Sequence, residues 1–182
     1  MNLLLTFLAT ILCVSELVST LQPECKLPLD MGKTPCKNGK KEIRYHFDQK
    51  SNIPLAFEYS GCGGNKNNFK TESECRFTCT GYDQSGCAAG SKPINDKNCQ
   101  TDEECGPKGI CRYSNHINIC CDKKIEKLIE ADYEPKCPKG KKVAKIVEGG
   151  IPTTIVGKSC KSKFCPAGAT CVEGTYFATC CN

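Results

Sequence analysis

The chain has 182 residues, 18 of them cysteine and none tryptophan, with 25 Lys+Arg against 20 Asp+Glu. A tenth of the residues being cysteine marks a disulfide scaffold rather than an ordinary globular enzyme built on apolar burial. The net charge of +5 is too small and too scattered to point to nucleic acid, and no partner of that class is expected.

From the N-terminus, Leu3 to Val18 is almost wholly apolar and is followed by the small residues Ser19 and Thr20. Such a run is short for a membrane span and reads as a secretory signal peptide over residues 1–20, so a secreted, extracellular protein without a membrane anchor is expected. Cleavage removes Cys13 and Glu16, leaving 17 cysteines and a net charge of +6 from 25 basic and 19 acidic residues. An odd count in an oxidising compartment predicts eight disulfides and one leftover thiol.

The next stretch carries Cys25, Cys36, Cys62, Cys75 and Cys79, with a basic cluster of Lys33, Lys37, Lys40, Lys41 and Arg44. In EIRYHF, Ile43, Tyr45 and Phe47 alternate with Arg44 and His46. Leu55, Phe57 and Tyr59 alternate again after a turn-rich DQKSNIP. This predicts a β-hairpin. Alternation sets His46 on the face opposite Tyr45 and Phe47, where an exposed strand histidine is expected rather than a catalytic one. Thr71 and Glu74 form a capping box that opens a short helix, with Cys75 and Cys79 on one of its faces.

Phe57, Gly61, Cys62, Phe69, Cys75 and Cys79 stand at F-x3-G-C, C-x6-F and F-x5-C-x3-C spacings, a pattern that resembles Kunitz-type inhibitor domains over residues 24–81. The resemblance implies an α+β module, a twisted hairpin plus a short C-terminal helix, bridged Cys25–Cys79 and Cys36–Cys62. The third bridge of the family is incomplete, because its strand cysteine falls on Pro54. Cys75 is then the unpaired thiol, either buried as a small apolar residue or forming a disulfide-linked dimer. Kunitz domains offer proteases a rigid, substrate-like loop, whose key residue follows the second cysteine. That residue here is Lys37, with Cys36 before it and Asn38 after it, and a lysine suits a trypsin-like serine protease. Gly61, Gly63 and Gly64 would support the loop. It departs from the family in length, with ten residues between Cys25 and Cys36 where eight are usual, and in Asn38, where glycine or alanine is usual.

Residues 87–122 and 137–182 form a repeat. One reads C-x11-C-x5-C-x5-C-x8-CC and the other C-x22-C-x4-C-x5-C-x8-CC. Units this short need covalent support, and six cysteines allow fifteen connectivities. They resemble lustrin-type cysteine-rich modules, which gives a small disulfide-rich fold of a Kunitz module and two loop-dominated units. Between them, residues 123–136 read as a charged, partly helical linker capped by Asp122 and stopped by Pro135. No CxxC knuckle occurs, and His46 and His116 are far apart, so neither a metal nor any other cofactor is expected. No enzyme is expected either, since spacing assembles no catalytic constellation. Beside protease inhibition stand two alternatives, a non-inhibitory matrix or adhesion protein and a Kunitz-type channel-blocking toxin.

Overall fold

The computed structural model describes residues 21–80, 86–113 and 117–182. The signal-peptide reading of residues 1–20 lies outside them, and so does His116. No helix among the described residues is long and apolar enough to cross a membrane. Strands β1 (Glu42–Asp48) and β2 (Ile53–Tyr59) form the predicted hairpin, in register from Glu42 opposite Tyr59 to Asp48 opposite Ile53. The Asp48 carboxylate holds the turn by accepting from the Ser51 amide at 2.9 Å and the Ser51 hydroxyl at 2.6 Å. Helix α1 (Glu72–Thr80) starts where Thr71 Oγ1 accepts the Glu74 amide at 3.0 Å. The Glu74 carboxylate reaches back to the Lys70 amide, at 2.8 Å, so the capping box closes one residue earlier than the usual form. Cys25–Cys79 ties this helix to the start of the chain. Asn67, fully buried, ties the hairpin to the loop before it. Its side-chain carbonyl accepts the Phe47 amide, and its NH2 donates to Phe47 and Leu27 carbonyls.

The two cysteine-rich units have one connectivity. Cys87–Cys121, Cys99–Cys111 and Cys105–Cys120 in the first correspond to Cys137–Cys181, Cys160–Cys171 and Cys165–Cys180 in the second. Each contains a hairpin, β3 (Gly109–Arg112) with β4 (Ile119–Asp122) and, further on, β8 (Thr170–Glu173) with β9 (Ala178–Cys181). The vicinal pair sits in the second strand of each, with Cys111 opposite Cys120 and Cys171 opposite Cys180. Adjacent strand residues point to opposite faces, so the two members of a CC pair must find partners on different sides. One returns to the first cysteine of its unit and the other takes the third. The fourth is left to the second, and this excludes most of the fifteen pairings the composition allows.

Helix α2 (Lys123–Tyr133) occupies the segment read as a linker, and Asp122 caps it by accepting the Lys124 and Ile125 amides at 2.8 and 3.1 Å. It is an integral part of the fold. Ile129 packs with Leu55, Val156 and Phe177. The buried Asp132 carboxylate accepts the amides of Thr175, Tyr176 and Phe177 at 2.7, 2.5 and 3.0 Å. Buried Glu126 accepts the Ala88 amide at 2.8 Å and pairs with Arg112 at 2.6 Å. A helix of 11 residues, marginal alone in water, is held by contacts to all three cysteine-bearing segments.

The second unit also enters the first module. A hairpin of β5 (Lys145–Glu148) and β6 (Ile151–Thr154) places the Glu148 carboxylate on the Glu72 amide at 3.1 Å, at the positive end of α1. Strand β7 (Val156–Gly157) pairs with β2 in parallel through Ala56 opposite Gly157, completing a five-stranded sheet of order β1-β2-β7-β9-β8. One core runs from Cys25, Tyr45, Phe47, Ala56, Phe69 and Cys75 to Ile155, Phe164, Ala178 and Cys180.

Candidate functional site

The loop preceding β1 is laced to the chain that follows β2. On its upstream side, the Lys33 amide donates to the Cys62 carbonyl at 2.8 Å and the Ser60 amide to the Met31 carbonyl at 2.9 Å. The Tyr59 hydroxyl donates to the Gly63 carbonyl at 2.7 Å, fixing the glycine-rich turn. Cys36–Cys62 is the covalent clamp, with Cα atoms 5.8 Å apart. Downstream, Lys41 meets Glu58 across the strand pair at 2.8 Å. Between these fastenings Lys37 and Asn38 are exposed, while Cys36 and Gly39 on either side are half-buried.

The spacing of cysteines does not reveal Gly39, which matters to this geometry. A Cβ added there would fall 2.1 Å from Cys36 Sγ and 2.8 Å from the Gly61 backbone. Gly61, at φ +90°, faces the same contact from the other side, where a Cβ would fall 2.8 Å from Gly39. Two backbones therefore cross with no side chain between them, directly behind the exposed Lys37–Asn38 bond. Its only signal in the sequence is a glycine two residues past Lys37. Gly63 and Gly64 also have positive φ and form the turn that receives Lys33 and Tyr59. Lys33, Lys37, Lys40 and Lys41 are all exposed around the loop, and Arg44 lies 5.8 Å from the Tyr59 ring centre.

His46 departs from expectation. It lies on the face opposite Tyr45 and Phe47, as alternation requires, but it is only 3 % exposed. Its partner across the hairpin is Leu55, and α2, β7 and the chain around Phe177 cover that residue. The second face of the hairpin is thus covered by segments a hundred residues away, which hairpin periodicity cannot report. His46 stacks edge-on to Phe57 at 5.8 Å, and its ring nitrogens are buried without hydrogen-bond partners among the described residues. Burial lowers its pKa to about 4, against the opposing pull of the Asp48 carboxylate and with a smaller push from Lys158. Asp48 and Lys158 are themselves paired at 3.0 Å. Burial disfavours ionisation of Asp48, but hydrogen bonds from Ser51 and Lys158 outweigh it and hold the carboxyl below its usual range.

A pH dependence follows. Above about pH 6.5 His46 is neutral in both folded and unfolded chains. Between that value and about 4 the unfolded chain binds a proton that the folded chain refuses, so stability falls as pH falls. From pH 7 to pH 5 the loss should be roughly 2 kcal/mol, before Asp48 begins to contribute. His46→Phe keeps the ring and removes the proton site, so urea melts of this variant should lose far less over the same interval. An identical pH dependence in variant and wild type would assign the effect to another group.

Cys75 carries the one free thiol among the described residues, and it is fully buried. It packs in the core with Tyr45, Phe47, Ala56 and Phe69. Burial pushes its pKa up, so the thiol stays protonated. Of the two readings of Cys75, its burial favours the small apolar core residue over the disulfide-linked dimer, since a buried thiol presents no surface to a second chain. Sulfurs do gather at Cys99, Cys105 and Cys111, and at Cys87, Cys121 and Glu126, in geometry compact enough for a metal. All these cysteines are disulfide-bonded, so they have no thiolate to give.

A hairpin with a helix bridged to the chain start, and a lysine-bearing loop clamped to the turn beyond the second strand, define the class of Kunitz inhibitor modules. The Kunitz/bovine pancreatic trypsin inhibitor domain matches residues 24–80. Over nearly its whole length the chain is 39 % identical to the major allergen Ani s 1 of Anisakis simplex, covering 96 % of this chain and 93 % of that protein. It is 31 % identical to a BPTI/Kunitz inhibitor domain-containing protein of Caenorhabditis elegans, covering 97 % and 94 %. The Kunitz serine protease inhibitor homologue dendrotoxin K of Dendroaspis polylepis polylepis is 47 % identical over 79 residues, covering 43 % of this chain and 95 % of the toxin. No solved structure shows significant similarity to the chain. The chain belongs to the Kunitz/bovine pancreatic trypsin inhibitor domain family.

Proposed function

We propose that the protein is a secreted inhibitor of trypsin-like serine proteases, not an enzyme, and that it presents the Lys37–Asn38 bond as a substrate mimic. The observation that carries this reading is the exposed Lys37 beside the Cys36–Cys62 clamp, backed by the side-chain-free contact of Gly39 with Gly61. A loop held in its bound shape avoids the ordering entropy that a flexible peptide loses on binding, so a small contact can be tight. The two added residues between Cys25 and Cys36 are accommodated by the amide contacts of the loop with Ser60 and Cys62. The two cysteine-rich units, read as lustrin-type modules, act as a scaffold that steadies the inhibitor hairpin from behind. The mature protein should be titrated against trypsin-like, chymotrypsin-like and elastase-like proteases. Inhibition of the first in clear preference to the others is expected, and failure to inhibit any of the three defeats the reading.

A second reading draws on the likeness to dendrotoxin K and to delta-dendrotoxin, which is 53 % identical over 57 residues. Exposed Lys33, Lys37, Lys40 and Lys41 could then engage an anionic channel mouth. Block of potassium current by the mature protein, with no effect on any protease in the panel, would select it.

A further inference from the structure

In the first cysteine-rich unit, a groove of about 620 Å3 is lined by the turn before β3 and the first turns of α2, which are joined where the Lys123 amide donates to the Lys108 carbonyl at 2.9 Å. Its apolar lining residues are the exposed Pro107 and the half-buried Leu128, and Lys108, Lys123, Lys124 and Lys127 line it. Three of the lysines are exposed and Lys123 is half-buried. The lysines come from two separate elements and converge on one concavity. None of them belongs to an ion pair among the described residues, although ion pairs occur elsewhere in the fold. The one carboxylate in the lining, Asp122, is occupied in capping α2. Lys123 and Lys127 stand four apart and Lys124 and Lys127 three apart on the helix surface. Like charges at these spacings repel and destabilise an isolated helix by a few tenths of a kcal/mol per pair. Glu126 and Glu130 follow Lys123 and Lys127 at the same spacing and Glu103 feels the charge of Lys123, so the concavity carries an excess of positive charge rather than a bare one.

We propose that this groove binds a sulfated polysaccharide chain of the extracellular matrix. The chemistry favours that polyanion over two others. Base stacking on nucleic acid needs aromatic side chains, and the lining has none. Insertion into an anionic bilayer needs large protruding apolar or aromatic anchors, whereas the lining offers only the half-buried Leu128 and the small ring of Pro107. Lysine ammonium groups on both walls of an open groove suit sulfate groups repeated along a linear chain. Eight disulfides suit an oxidising, extracellular setting, where such polymers occur.

The test uses the mature protein, heparin as the probe, and a variant carrying Lys123→Ser, Lys124→Ser and Lys127→Ser. A second variant with Lys33→Ser, Lys37→Ser and Lys40→Ser loses equal charge from the inhibitory loop. Circular dichroism and thermal melting establish that both are folded. Wild type and loop variant should bind heparin alike, and the groove variant should bind at least tenfold more weakly. The slope of log affinity against log salt should fall by about two to three units in the groove variant, as expected when three cation contacts to a polyanion are removed. Equal loss in the two variants would mean that net charge alone governs binding, and the groove would be no site. Retained binding in the groove variant would overturn the proposal, as would tighter binding of wild type to single-stranded DNA or to phosphatidylserine vesicles than to heparin.

Discussion

Lys37→Ala should raise the inhibition constant against a trypsin-like protease by at least about a thousandfold, or ~4 kcal/mol. The lysine would enter a pocket with a carboxylate at its base. Truncation removes the attraction and also leaves that carboxylate buried without its counter-ion, which is why such losses are large. Lys33→Ala and Lys40→Ala, at the edge of the same contact, should alter mainly the association rate and its salt dependence. Lys37→Leu should shift the preference toward an enzyme with an apolar pocket. Slow-binding titration of the four variants separates these effects. If Lys37→Ala inhibits as well as wild type, the reactive bond has been placed wrongly.

The second large effect concerns the incomplete third bridge. Pro54 is buried, opposite Phe47 in the hairpin register. It shares a strand face with Ala56, and Phe47 and Ala56 both lie in the core that contains Cys75. Pro54→Cys should therefore form a bridge to Cys75. Closing a loop of roughly 20 residues adds about 3 kcal/mol. For a chain of this length that is an upward shift of roughly 6–12 °C in Tm. The gain should vanish in Pro54→Cys/Cys75→Ala, which distinguishes a bridge from better packing. Two alkylatable thiols in the unfolded, unreduced variant would mean that the positions are not neighbours.

Both predictions rest on residues legible in the sequence, because local periodicity and cysteine spacing report local geometry well. The hairpin, the helix that bears Cys75 and Cys79, and the repeat of the cysteine-rich units are of this kind. What the sequence conceals depends on contacts distant along the chain. His46 reads as exposed because nothing near it announces that Leu55, opposite it, will be covered by Ile129, Val156 and Phe177. Helix α2 reads as a linker because its polar residues suggest solvent, yet Glu126 and Asp132 serve as buried acceptors for distant amides. Gly39 escapes notice because its role is to leave room for Gly61, and room has no sequence signature.

The sheet that joins β2 to β7 also bears on inheritance. The dendrotoxin relative covers under half of this chain, whereas the relatives from Anisakis simplex and Caenorhabditis elegans align over nearly all of it. In this chain the rear of the inhibitor hairpin, Leu55, is committed to Phe177 and Ile129, which lie beyond any Kunitz boundary. The module is not packed as a self-contained cassette in this chain. Moved alone, it would carry a bare apolar face into water. Substitutions at Leu55 should therefore be answered at Phe177 or Ile129, which makes the packing unit larger than the Kunitz module.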